Sequence, residues 1–215
     1  MKAKTYALAV GAALTLVTGA QAQDFQPKAK GHVILNTRVT DISSDADAAI
    51  VTAAGAATGL HVDVEHDVMP TVGIHYFLTD NVAVELVLGT TQHTIRAQGP
   101  ATDVVVHKTW VLPPIATVQY HFAPTARVSP YVGAGLNYMM FYSGDDKNGF
   151  SVKLDDGVGY ALQAGVDVAV RGAWSANLDV KKVFFDTDAK INGGALKSKV
   201  NLDPWVVSAG LGYRF

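Results

Sequence analysis

The last eleven residues read Trp205-Val206-Val207-Ser208-Ala209-Gly210-Leu211-Gly212-Tyr213-Arg214-Phe215, and they alternate without a break. In an extended chain successive side chains point to opposite faces. Trp205, Val207, Ala209, Leu211, Tyr213 and Phe215 therefore form one wholly apolar face, while the other face is small or polar. A soluble sheet could bury such a face. A strand of about ten residues with aromatics at both ends, however, has the length and flanks of one that crosses a bilayer. The stretch reads as the closing strand of a bacterial outer-membrane barrel.

Composition agrees, and it excludes the helical way of spanning a membrane. Hydrophobic residues make up 49% of the chain and charged residues 17%. Yet away from the N-terminus no run approaches the roughly 20 apolar residues that a spanning helix needs. The N-terminus reads as an export signal over residues 1–22. Lys2 and Lys4 make a basic start, Tyr6 to Val17 an apolar core, and Ala20-Gln21-Ala22 a small-x-small cleavage site. The mature barrel domain is then expected over residues 23–215. The absence of cysteine rules out disulfides and thiolate metal sites. A formal charge of -2 offers no basic face for nucleic acid.

From Gln23 onward, eight alternating segments follow one another: 31–42, 61–78, 82–95, 110–122, 130–142, 157–170, 174–187 and 203–215. Short turns at 79–81, 123–129 and 171–173 alternate with longer loops at 43–60, 96–109, 143–156 and 188–202. Short turns belong to the periplasmic rim and long loops to the outside. In hydrocarbon an open sheet edge would leave backbone groups unpaired at several kcal/mol each, so the sheet must close. The fold expected is an all-β, eight-stranded antiparallel up-and-down transmembrane barrel, narrow enough to be filled by side chains or one slender ligand.

Parity assigns the lumen. Towards the periplasm the inward set is polar: Glu85, Gln119, His121, Asp167, Arg171, Asp179, Lys181 and Arg214, with His75 and Asn177 among them. Glu85, Asp167 and Asp179 against Arg171, Lys181 and Arg214 suggest a charge-balanced plug, although a role in conducting ions or protons stays open. Arg38 shares the inward parity but stands higher. Towards the outside the inward set turns apolar: Val87, Val111, Pro113, Ile115, Met139, Phe141, Val183 and Phe185. A water-filled pore would not line its mouth this way. A packed core would, and so would a small-ligand site with polar groups at its floor.

Three smaller features have blander readings. His61, Asp63, Glu65 and Asp67 share a face and could contact a cation, but a solvated face is the expectation, and no metal or cofactor is implied. His93 and His107 flank a long loop, yet no serine or carboxylate stands at catalytic spacing, so no enzyme activity is expected. Lys182 breaks the lipid-facing parity of its strand, and a bulge at Lys181-Lys182 would repair the register.

Several motifs together resemble one family. They include Phe77-Leu78-Thr79-Asp80-Asn81 with Glu85-Leu86, His93-Thr94-Ile95, Leu112-Pro113-Pro114 and Gln119-Tyr120-His121-Phe122. Further on come Pro130-Tyr131-Val132-Gly133-Ala134-Gly135-Leu136-Asn137-Tyr138, Ala164-Gly165-Val166-Asp167, Leu202-Asp203-Pro204-Trp205 and Gly212-Tyr213-Arg214-Phe215. From about residue 70 to the end the chain resembles the OmpW family of outer-membrane proteins, with Val168 standing where that family usually carries an aromatic. The resemblance implies a narrow hydrophobic channel that carries small apolar molecules, with lateral exit through the barrel wall. Outer-membrane lipid, small hydrophobic solutes and, during biogenesis, the barrel assembly machinery are the partners to expect. The rivals are a non-conducting barrel acting as surface receptor, adhesin or envelope-stress protein, and a soluble periplasmic ligand-binding barrel.

Overall fold

A computed structural model describes residues 25–44, 46 and 48–215. The export signal and its cleavage site lie outside the described residues. The strands run in order β1 (Val33–Ser43), β2 (Ala48–Thr52), β3 (Ala57–Val64), β4 (Asp67–Phe77), β5 (Val82–Leu88), β6 (Thr91–Gly99), β7 (Thr102–Leu112) and β8 (Ile115–His121). There follow β9 (Val128–Asp146), β10 (Val152–Leu154), β11 (Gly157–Arg171), β12 (Trp174–Phe184), β13 (Asp186–Ile191), β14 (Leu196–Asn201) and β15 (Trp205–Arg214).

Eight of these close the expected antiparallel barrel in the order β1, β4, β5, β8, β9, β11, β12, β15. The last strand returns to the first along the register Ile34 to Arg214 through Ser43 to Trp205, so no edge is left in the ring. Leu136, Val158, Leu162 and Leu211 stand more than half exposed on its outer face. Aromatics gird it at both ends: Trp174, Tyr213 and Phe215 pack edge to face at the periplasmic rim, and Tyr160 stacks on Phe184 at 4.7 Å at the other. Apolar surface of this extent is stable only against lipid.

The long connections are where expectation and structure part. They are not loops. β2 with β3, β6 with β7, the outer half of β9 against β7, β10 against β13, and β13 with β14 extend the wall beyond the membrane as a second storey. Small or branched apolar residues at alternate positions, such as Ala48 and Ile50, Ala189 and Ile191, or Val106, face its interior. On β13 and β14 the outward neighbours are Asp188 and Lys190, and Lys197 and Lys199, which hide the alternation in the sequence. Conversely, the expected strands 61–78, 82–95, 110–122 and 174–187 are each two strands. Breaks fall at 65–66, 89–90, 113–114 and Phe185, a belt where the two storeys meet. β9 crosses that belt unbroken.

The bulge expected at Lys181-Lys182 is also absent. Both residues stay in continuous register with Gln163 and Leu162 on one side and with Val206 and Trp205 on the other. Lys182 keeps its outward parity because it snorkels. Its ammonium lies 5.1 Å over the Trp205 ring and 5.9 Å over Phe184, and it donates to the Asp203 carbonyl.

Candidate functional site

The lumen is built in layers. At the periplasmic end Lys28, from the segment preceding β1, reaches up into the barrel and is almost fully buried. Its ammonium meets Asp167 at 2.6 Å, donates to Ser129 at 3.0 Å and lies 3.0 Å from His121 Nδ1. The His121 ring packs between Phe77 and Tyr131, with centroids 4.9 Å away on each side. Above it the network centres on Glu85. Arg38 pairs with this carboxylate at 2.7 Å, Lys181 at 3.3 Å, and Gln119 and Gln163 donate to it at 2.9 and 2.7 Å. Asp179 takes hydrogen bonds from Tyr131 at 2.7 Å and Gln163 at 2.6 Å, and pairs with Lys181. Asn177 links the layers: it accepts from Arg38 at 2.6 Å and donates to Asp167 at 2.7 Å.

Three carboxylates thus face three cations, as buried charges require if desolvation is to be offset. The carboxylates are Glu85, Asp167 and Asp179, as expected, but the cations are Lys28, Arg38 and Lys181. Arg171 is exposed at the rim, where the register between β11 and β12 shifts between Ala169 and Arg171 and turns it out of the lumen. Arg214 keeps inward parity but is only half-buried, makes no ion pair among the described residues, and lines a small cavity with Phe25 and Lys28. Arg38 sits opposite Thr71, well above His75, so its backbone is indeed high. Its guanidinium gets down to Glu85 by passing over Gly73, where a Cβ would stand 2.8 Å from Arg38 Nη1. Lys28 lies in no strand, so parity gave it no face.

Over this floor the lumen is apolar. A cavity of about 40 Å³ is walled by Val87, Val111, Pro113, Ile115, Met139 and Val183, with Thr40, Asn137 and Lys181 at its base. A second, of about 60 Å³, continues upwards and shares Ile42, His93, Val111, Met139 and Pro204 with the first. Phe141 lines this upper cavity, and Phe185 packs 6.5 Å from it, centroid to centroid. All eight residues expected to line the channel therefore lie in the cavity walls or the cluster packed around them. The outer storey adds Ile50, Val106, Ile191 and Val200, which stood in stretches taken for loops, and Val62 and Ile95, at the outer ends of expected strands.

Beside the lower cavity the wall is incomplete. Val87 pairs with Ile115 and Thr91 with Val111 in one unbroken register, but the three positions between them form no ladder. They set Leu88, Gly89 and Thr90 against Leu112, Pro113 and Pro114, and a proline has no N–H to give. On the opposite side Pro114 stays anchored: its carbonyl accepts from the Tyr138 N–H at 3.0 Å. A neighbouring gap between β4 and β6 is bridged by side chains, with Asp67 accepting from the Thr91 hydroxyl at 2.6 Å and the Gln92 N–H at 3.0 Å. His61, Asp63, Glu65 and Asp67 do not converge. Asp63 accepts from Gln98, Glu65 lies 3.6 Å from Arg96, and among the described residues no such group is placed to share an ion. His93 and His107 are likewise apart, His93 on the Glu65 carbonyl and His107 on Asp146.

A closed eight-stranded barrel with a lipid-facing exterior and an occluded, two-part lumen is an integral protein of the bacterial outer membrane. The chain belongs to the OmpW family, whose sequence profile matches residues 29–215. It is 44% identical over 161 residues to an uncharacterized outer-membrane protein of Sinorhizobium fredii, covering 73% of this chain and 70% of that one. With outer membrane protein W of Escherichia coli it shares 36% identity over 154 residues, 65% and 69% of the two chains. Among solved structures, OprG of Pseudomonas aeruginosa superposes with a TM-score of 0.83 at 28% identity, over 89% of this chain and 99% of that one.

Proposed function

We propose that this protein passes small hydrophobic molecules down its apolar lumen and releases them sideways into the bilayer at the wall break beside Pro113-Pro114. One observation carries this reading. The apolar column ends on a charge-balanced, hydrogen-bonded plug, and the wall lacks three ladder positions at the level where the column stops. An apolar solute gains nothing by entering the plug, since it would strip buried charges of their partners. Leaving through the wall returns it to hydrocarbon. The lipopolysaccharide leaflet is a poor solvent for such solutes, so shielding them past it lowers the barrier without an aqueous pore. In addition, a relative in Pseudomonas aeruginosa, 26% identical over 180 residues, is named a dibenzothiophene metabolism operon protein. Apolar aromatics of that kind suit this lining.

The test is uptake of an apolar aromatic probe into proteoliposomes. Pro113→Ala with Pro114→Ala would return, at residue 113, an N–H on the edge that faces the gap, in a strand already in register, letting the ladder close. The double variant should fold normally and transfer the probe several-fold more slowly than wild type. Uptake equal to that of protein-free liposomes by the wild-type protein would instead favour a non-conducting receptor, adhesin or structural barrel.

A further inference from the structure

Asn137 lies on β9 where the plug ends and the lower cavity begins, and it is 1% exposed. Its amide Nδ2 donates to the Pro114 carbonyl at 3.2 Å, but its Oδ1 has no partner among the described residues. A buried acceptor left unmade is costly and uncommon. Lys181 borders the same cavity. Its ammonium carries three N–H groups, of which Asp179 and Glu85 engage two. The other polar groups on this floor have no such need, because Thr40 bonds both Thr71 and Ser208, at 2.7 and 2.9 Å. One acceptor and one donor are therefore left over at the base of an apolar chamber, next to the break in its wall.

We propose that this floor recognises a single neutral hydroxyl on an otherwise apolar molecule, as in an alkanol or a phenol. The inference rests on the hydrophobic-passage reading above and narrows its substrate class. The ligand's O–H would donate to Asn137 Oδ1 while its oxygen accepts from Lys181, with the apolar body upwards among Ile115, Met139 and Val111. A plain hydrocarbon fits the walls and leaves both groups unsatisfied. A carboxylate would satisfy Lys181 but present lone pairs to Asn137 Oδ1. It would also add an unbalanced charge to a floor whose three cations already match three carboxylates.

The test compares 1-naphthol with naphthalene, binding to the full barrel in lipid nanodiscs and followed by probe fluorescence against protein-free discs. Wild type should favour the naphthol by on the order of tenfold, the weight of one buried hydrogen bond. Asn137→Leu, close in volume and without the acceptor, should lose that preference and still bind naphthalene. Asn137→Ser, which keeps an acceptor oxygen, should retain part of it. Heat-modifiable migration in detergent gels reports that each variant is folded. If wild type and Asn137→Leu show the same naphthol-to-naphthalene ratio, the hydroxyl site is refuted and hydrophobic passage stands. If wild type binds neither probe, the passage reading falls and takes this inference with it.

Discussion

Arg171 and Lys28 show what parity can and cannot decide about a single residue. Arg171 carries inward parity in the sequence, yet a one-residue register shift at the end of β11 puts it in water at the rim. Lys28 belongs to no strand, and yet it supplies the cation for Asp167. The carboxylates were legible because they stand in mid-strand, where alternation is strict. Of their partners Lys181 was legible too, but Lys28 and Arg38 were not, because Lys28 precedes the strands and a long side chain reaches several residues along the lumen, as Arg38 does over Gly73. Removing one partner of a buried ion pair costs about 3–5 kcal/mol. Lys28→Ala should therefore lower the temperature of the heat-modifiable shift and raise ion leakage through planar bilayers. Arg171→Ala should change stability by no more than about 0.5 kcal/mol and leave conductance alone. Equal effects of the two substitutions would mean that Lys28 is not part of the plug.

At the scale of elements, the eight spanning strands could be read from period-two alternation, whereas the outer storey could not. β13 and β14 carry Asp and Lys outward, and the storey carries mostly Ala, Val or Ile inward, a pattern that resembles a polar loop with scattered apolar residues. The seam between the outer half of β9 and β10 depends on side chains more than on a ladder. Asp146 accepts from the Val152 N–H at 2.9 Å and lies 2.8 Å from His107 Nδ1, while Asp156 accepts from the Phe141 N–H at 2.8 Å. The Val152 N–H and the His107 ring hold the Asp146 carboxyl below its usual range. A depressed carboxylate stabilises the fold at neutral pH, and that contribution disappears as pH falls through its lowered pKa. Protease cleavage in residues 147–151 should accordingly rise under acid conditions, below about pH 4. In Asp146→Asn it should be high already at neutral pH and depend little on acid. A wild-type cleavage rate that stays flat into acid would remove Asp146 from the seam.

For the whole molecule, closure and division of the lumen are separate properties and should fail separately. Closure depends on β15 meeting β1, with Tyr213 and Phe215 at the periplasmic interface. Replacing Phe215 with Asp removes that aromatic anchor, and membrane yield should fall while the protein that does insert keeps its lumen. Division of the lumen calls for opposed substitutions. Phe141→Asp places a carboxylate in the desolvated upper passage, where an unpaired charge costs several kcal/mol. Uptake of an apolar probe should drop towards the protein-free rate, with ion conductance little changed. Asp167→Ala acts at the other end: it strips Lys28 of its carboxylate and Asn177 of an acceptor, so the plug loosens. Conductance should then rise and thermal stability fall, while apolar uptake changes less, because the solute leaves above the plug. Both quantities can be measured on the same proteoliposome preparations. Should the two substitutions depress uptake and raise conductance alike, the lumen is one continuous aqueous path and sideways release is wrong.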